Sequence, residues 1–128
     1  MKAEIIFTGK GHAATQAPLE AEFTVHKLHE TADKAQFLKE RAERIRGIAS
    51  FGPYVVDGKL MDALPKLEII ANFGVGVDQI VLEDAKARGI IVTNTPDVLN
   101  ECVADTEIAL VLNTLRKLPQ CEAYLRAG

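Results

Sequence analysis

Short apolar runs alternate with stretches whose apolar residues recur at helical spacing. Glu4–Thr8 is a β-type run stopped by Gly9-Lys10-Gly11. Glu22–Leu28 sets Phe23, Val25 and Leu28 among polar residues and predicts a less buried strand. About a dozen residues lie between these runs, and Pro18 is expected to interrupt any helix there. Thr31-Ala32-Asp33 opens a helical pattern through Ala35, Leu38, Ala42 and Ile45. Gly47 reads as its end, and Ile48–Phe51 as a short buried strand. Leu60, Met61 and Leu64 predict a short helix before Pro65, and Leu67–Phe73 a strand. Val81–Arg88 reads as a helix closed by Gly89, with Asp84 and Arg88 spaced to pair along it. Ile90–Thr93 is the fifth strand.

Such alternation predicts an α/β fold: a parallel sheet with helices on both faces. Right-handed crossovers between the strands fit a flavodoxin-like order, 2-1-3-4-5. After Thr95-Pro96 the pattern changes. Asn100 is placed to cap a long helix whose Val103, Ala104, Ile108, Val111, Leu112, Leu115 and Leu118 form a broad apolar face, with Pro119 ending or kinking it. The chain therefore reads as an α/β domain over residues 1–98 and a helix over 99–128. So wide an apolar face calls for a partner, either another copy or a second domain.

Composition narrows the classes. Of 128 residues, 48% are hydrophobic and 26% charged, enough for a packed core and too apolar for a disordered chain. A net charge of −3 with no basic block argues against nucleic acid as a partner. Two cysteines, Cys102 and Cys121, have neither metal-ligand spacing nor a disulfide framework, and suit a reducing, cytoplasmic setting. No signal-peptide core follows Met1-Lys2-Ala3, and no apolar run approaches the ~20 residues of a membrane span.

Two glycine motifs compete for the chemistry. Gly9-Lys10-Gly11-His12-Ala13-Ala14 has the wording G-x-G-x-x-A, with Glu30 near the acidic position of a dinucleotide fingerprint. That fingerprint needs a crossing helix, which Pro18 is expected to forbid, so the segment reads as a flexible turn. Gly74-Val75-Gly76-Val77-Asp78 lacks the third glycine. Its two glycines at the end of a strand allow consecutive N–H groups to face the crevice where α/β sheets bind ligands, which suits a small carboxylate or phosphate. A plain tight turn is the alternative, and Asp78 is expected to cap the turn or the next helix. Asn94-Thr95-Pro96-Asp97 suits a strand exit with or without a ligand nearby. His12, His26 and His29 have no carboxylate or serine at a telling spacing. A phospho-acceptor receiver domain is excluded, because its acidic and lysine positions hold Thr8-Gly9, Phe51-Gly52 and Asn94-Thr95.

Asn72-Phe73-Gly74-Val75-Gly76-Val77-Asp78, Lys86-Ala87-Arg88-Gly89-Ile90, Thr93-Asn94-Thr95-Pro96 and Val103-Ala104-Asp105, in that order, resemble the D-isomer-specific 2-hydroxyacid dehydrogenases. The likeness spans the whole chain, and the wording around Gly74 and Pro96 is most similar to glyoxylate and hydroxypyruvate reductases. The resemblance implies the substrate-binding domain of a two-domain NAD(P)H-dependent enzyme acting on a small 2-keto or 2-hydroxy acid. By position, the backbone of Gly74, Val75 and Gly76 would hold the substrate carboxylate, with Phe51 and Gly52 beside it. Asn100, Val103 and Thr106 would lie near the nicotinamide, and their helix would join domains and form a homodimer.

The same resemblance places the coenzyme glycine loop, the catalytic arginine, the acidic residue and the general-acid histidine beyond residue 128. The 128 residues are accordingly expected to hold no catalytic residue and no metal, to bind NAD(P)H only weakly, and to lack activity alone. The competing expectation is a non-enzymatic carboxylate-binding or interaction module that dimerises through the helix after Asn100.

Overall fold

The computed structural model describes residues 2–128. The chain divides into two units, one ending at Pro96 and the other comprising Asp97–Gly128. In the first, β1 (Glu4–Phe7), β2 (Thr24–Lys27), β3 (Ile45–Ser50), β4 (Ile69–Asn72) and β5 (Ile91–Thr93) pair in parallel in the order β2-β1-β3-β4-β5. This is the flavodoxin-like order that the alternation predicts. Between the strands run α1 (Ala13–Glu22), α2 (Lys34–Arg41), α3 (Gly58–Asp62) and α4 (Leu82–Ala87).

Local chemistry explains several boundaries. Asp33 caps α2 by accepting the Gln36 N–H at 2.9 Å, and Asp57 caps α3 by accepting that of Leu60 at 3.0 Å. Asp84, on α4, accepts the Gly58 N–H at 2.8 Å and so ties α4 to the start of α3. Alternation along the strands then sorts the core into two layers. Ile6, Ile48 and Ile70 face Leu60, Met61, Leu64 and Ala85 in the larger cluster. Ile5, Phe7, Ala49 and Phe51 face the other way, against Leu19 and Phe23. On that second face Ile69 and Ile91 remain exposed.

Two sequence expectations for the region from β1 to β3 are corrected. A ten-residue helix, α1, does cross between β1 and β2, with Pro18 inside it. Pro18 and Ala14 are both exposed, so the Ala14 carbonyl that the proline leaves unpaired is open to water. Consequently β2 begins only at Thr24, and Phe23 ends α1. The second correction concerns Ile45 and Gly47, which belong to β3 and not to the preceding helix. Ile45 is fully buried opposite Glu4, and a Cβ on Gly47 would lie 3.2 Å from Ile5 Cγ2. Gly47 thus serves close packing on the sheet, and strand pairing overrides the helical spacing that ran through Ile45.

In the second unit, α5 (Asn100–Arg116) and α6 (Leu118–Ala127) meet at Lys117, whose φ of 52° is left-handed. Pro119 falls in the first turn of α6, where its missing N–H is harmless. Asn100 is the first residue of α5 rather than its cap; its amide donates to Asp97 Oδ1 at 2.8 Å. Val103, Ile108, Val111, Leu112 and Leu115 are all exposed. Among the described residues no helix is long and apolar enough to cross a membrane.

Candidate functional site

The turn after β4 is organised by a residue that sequence reasoning passed over. Asn72, the last residue of β4, is only 4% exposed. Its amide nitrogen donates to Gly76 O at 2.8 Å and Gly74 O at 3.3 Å, while its carbonyl oxygen accepts from Gln79 Nε2 at 2.6 Å. One buried side chain therefore ties together both ends of the turn. Asn94, beyond β5, donates to Val75 O at 2.8 Å, and the Thr95 N–H donates to Gly74 O at 3.0 Å. A polar residue within the largely apolar run Leu67–Phe73 is the available signal.

These bonds engage the carbonyls of Gly74, Val75 and Gly76 from the protein side. Among the described residues, no acceptor takes the N–H of Val75 or of Gly76, and both residues are exposed. Donors left open at the carboxyl end of a parallel strand can bind an anion without moving. The glycines fit the same picture. Neither Gly74 nor Gly76 has the left-handed φ that demands glycine. A Cβ on Gly76 would meet only Asp78 Oδ2, at 3.0 Å, and one on Gly74 would lie 3.3 Å from Asn72 Nδ2. Backbone conformation alone does not call for glycine at Gly76, and its Cβ would enter space open to a ligand. Asp78 does not cap the next helix: the N-cap of α4 is Val81, with no side-chain cap bond.

The other expected site residues sort by unit. Phe51 lies at the end of β3, beside β4, but its ring is 3% exposed and packs on Phe7 at 5.2 Å and Phe73 at 5.9 Å. Gly52 follows with φ 71° and nothing within 4 Å of a Cβ, so its backbone faces solvent. Asn100, Val103 and Thr106 belong to the other unit. Asn100 is engaged with Asp97, and the Thr106 hydroxyl donates to Cys102 O at 2.7 Å within α5.

The β1 exit does not form a dinucleotide phosphate site. The absence of a crossing helix is no longer a reason, since α1 is that helix. Its N-terminus is capped instead by His12, whose Nδ1 accepts the Ala14 N–H at 3.2 Å, and Gly9 and Gly11 are pressed against Phe51. A dinucleotide phosphate needs both features open.

The perturbed ionisations lie away from the turn. Arg88 forks onto Asp62 at 2.8 and 3.0 Å and holds its carboxyl below the ordinary range through those hydrogen bonds. Arg46 does the same for Glu68, where β3 and β4 begin. Burial, helped by Asp57, raises the Tyr54 phenol. Among the described residues no group of three His, Cys, Asp or Glu side chains is placed to hold a metal.

Comparison with known proteins agrees with this fold. Residues 5–119 match the family described as D-isomer specific 2-hydroxyacid dehydrogenase, catalytic domain. Glyoxylate/hydroxypyruvate reductase A of Arabidopsis thaliana is 41% identical over 110 residues, 86% of this chain and 35% of that protein. Hydroxyphenylpyruvate reductase of Plectranthus scutellarioides is 40% identical with the same coverage. The solved 2-hydroxyacid dehydrogenase of Ketogulonicigenium vulgare superposes with a TM-score of 0.91 at 43% identity, over 99% of this chain and 40% of that one. An NADPH-dependent glyoxylate/hydroxypyruvate reductase of Sinorhizobium meliloti, solved with NADP and malonate, gives 0.81 at 46% identity, over 100% and 39%. The chain thus spans 35–40% of the length of these relatives.

Proposed function

The chain belongs to the D-isomer specific 2-hydroxyacid dehydrogenase family, and on that premise we propose that it forms the substrate-binding portion of an NAD(P)H-dependent reductase of small 2-keto acids such as glyoxylate or hydroxypyruvate. The observation that carries this reading is the turn Gly74-Val75-Gly76, whose carbonyls are held by Asn72, Asn94 and Thr95 while the N–H groups of Val75 and Gly76 stay open. Those two donors grip the substrate carboxylate, and the Gly52 backbone borders the bound acid. A carboxylate so held has its keto carbon fixed in one orientation, which is the contribution of binding to a hydride transfer.

The chemistry of reduction belongs to the coenzyme, which supplies the hydride when bound. We assign its phosphates to the coenzyme domain that the family resemblance implies, and give Asn100, Val103 and Thr106 contacts near the nicotinamide. On this reading residues 1–98 bind substrate and 99–128 join the coenzyme domain. The relative solved with NADP favours NADPH. The exposed apolar side chains of α5 favour a homodimer built through that helix. Two free, exposed cysteines suit the cytoplasm.

The decisive assay is NADPH-dependent turnover of glyoxylate and hydroxypyruvate by a protein extended to the length of its relatives. Turnover is expected there and not in the 128-residue chain; a long form inert on every 2-keto acid would overturn the proposal. The non-enzymatic reading rests on the α5 face alone. It predicts that light scattering finds a stable dimer of the 128-residue chain, and that the extended protein stays inactive.

A further inference from the structure

The paired glycines after β1 have no part in the site described above, yet they are the most crowded glycines in the described chain. A Cβ on Gly9 would stand 2.4 Å from Phe51 O, and one on Gly11 would stand 2.6 and 2.7 Å from Phe51 Cε1 and Cδ1. Thr8 joins them: its hydroxyl accepts the Phe51 N–H at 2.9 Å and donates to Phe51 O at 3.3 Å. The whole β1 exit is shaped around the one residue that follows β3.

What lies on the far side of that residue matters. In the sheet β3 stands between β1 and β4. Phe51 accordingly has Phe7 and Gly11 on its β1 side and Phe73 on its β4 side. Phe7 is fully buried and has nowhere to go. Phe73 is 54% exposed and, with Leu19, Thr93 and Thr95, borders an open hollow of about 210 Å³. Crowding Phe51 from β1 therefore drives it into Phe73, which can yield. Phe73 donates its N–H to Ser50 O at 3.0 Å and is bonded directly to Gly74, the first residue of the carboxylate turn.

We propose that Thr8-Gly9-Lys10-Gly11 is a seat for Phe51 that sets, through Phe73, the position of the anion-binding turn, making Gly11 and Phe73 positioning residues for the substrate carboxylate. The inference rests on the reading of the Val75 and Gly76 N–H groups as the carboxylate grip. A displacement of about 1 Å at a binding group can cost as much as a hundredfold; a shift confined to the entry of the turn is expected to cost about tenfold.

The test uses the 128-residue chain and oxalate, a planar dicarboxylate of 2-keto-acid size, followed by the NMR shifts of the Val75 and Gly76 amides. The wild-type chain is expected to show saturable shifts at both amides. Their absence would overturn the grip and this inference together. Given wild-type binding, Phe73→Ala, which removes an exposed ring, is expected to weaken oxalate about tenfold. Gly11→Ala is expected to weaken it similarly, and Gly11→Ala/Phe51→Leu to recover affinity to within about twofold of wild type, because the shorter side chain vacates the space that the new methyl occupies. Wild-type affinity in Phe73→Ala, wild-type affinity in folded Gly11→Ala, or a Gly11→Ala loss that Phe51→Leu does not repair would each overturn the inference while leaving the grip intact. Should Gly11→Ala not fold, Phe73→Ala alone decides.

Discussion

Two glycine pairs with the same wording leave the carboxyl ends of parallel strands, Gly9-Lys10-Gly11 after β1 and Gly74-Val75-Gly76 after β4, and they work in opposite ways. Around the first pair the protein itself fills the space that side chains would take, with Phe51 backbone at Gly9 and Phe51 ring at Gly11. Around the second, a Cβ on Gly76 would meet only the Asp78 carboxylate, and one on Gly74 the Asn72 amide at 3.3 Å and Gly76 O at an ordinary 3.7 Å. Neither pair needs glycine for a left-handed φ. Glycine after a strand therefore has two meanings in one sheet: at β1 it admits another strand's exit, and at β4 it leaves room that the protein does not use. Only the second kind of vacancy points to a ligand.

The largest expected effect separates the pairs by stability. Gly9→Ala sets a methyl against a backbone oxygen held by β3, and is expected to destabilise the chain by about 3 kcal/mol. Gly76→Ala meets one exposed carboxylate that can swing away, so a change within about 0.5 kcal/mol is expected. Urea unfolding of both variants measures the difference. Equal stability losses would break the comparison.

Asn72→Ala comes next and probes what holds the second turn open. It leaves Gly74 O and Gly76 O without their shared donor and Gln79 Nε2 without its acceptor. Partly buried polar groups so stranded are expected to cost about 2 kcal/mol, and oxalate binding should fall with the order of the turn. A variant that unfolds like the wild type would show that the turn holds itself.

Gly76→Ala returns as a binding variant. With the fold intact, a methyl projecting into the proposed carboxylate site is expected to weaken oxalate about tenfold. Calorimetry or amide shifts measure this. Unchanged affinity would make the second pair a plain turn, and the contrast with the first would lose its functional half.

How much of this was legible without coordinates depends on whether the signal was local. The strand order follows from alternation and crossover handedness, both written in short windows around Ile5, Ile48, Ile70 and Val92. The turn at Gly74 was legible too, because glycines at a strand exit are a local pattern. What escaped depended on tertiary packing. Pro18 looked like a helix stop, but its effect turned on which side of α1 faces water. Gly47 looked like a helix end, although Ile5 on a neighbouring strand is what needs it small. Proximity of Phe51 to the β3 exit could not tell that its ring turns into the core. Asn72 could be read as polar in an apolar run, but not as the donor to two carbonyls.

The smallest expected effect concerns the charge beside the open turn. Asp78 is exposed, and its Oδ2 comes within 3.0 Å of where a Gly76 Cβ would stand. A carboxylate so near the two N–H groups proposed to grip the substrate would oppose an anionic ligand there, yet solvent screens an exposed charge strongly. Asp78→Asn keeps the shape and removes the repulsion. Oxalate binding is expected to tighten about two- to threefold at low ionic strength, the gain fading as salt rises toward 1 M, where the screening length falls to about 3 Å. The sign is diagnostic. Weaker binding in Asp78→Asn would mean that the carboxylate orders the turn, and the second glycine pair would then depend, like the first, on a side chain packed against it.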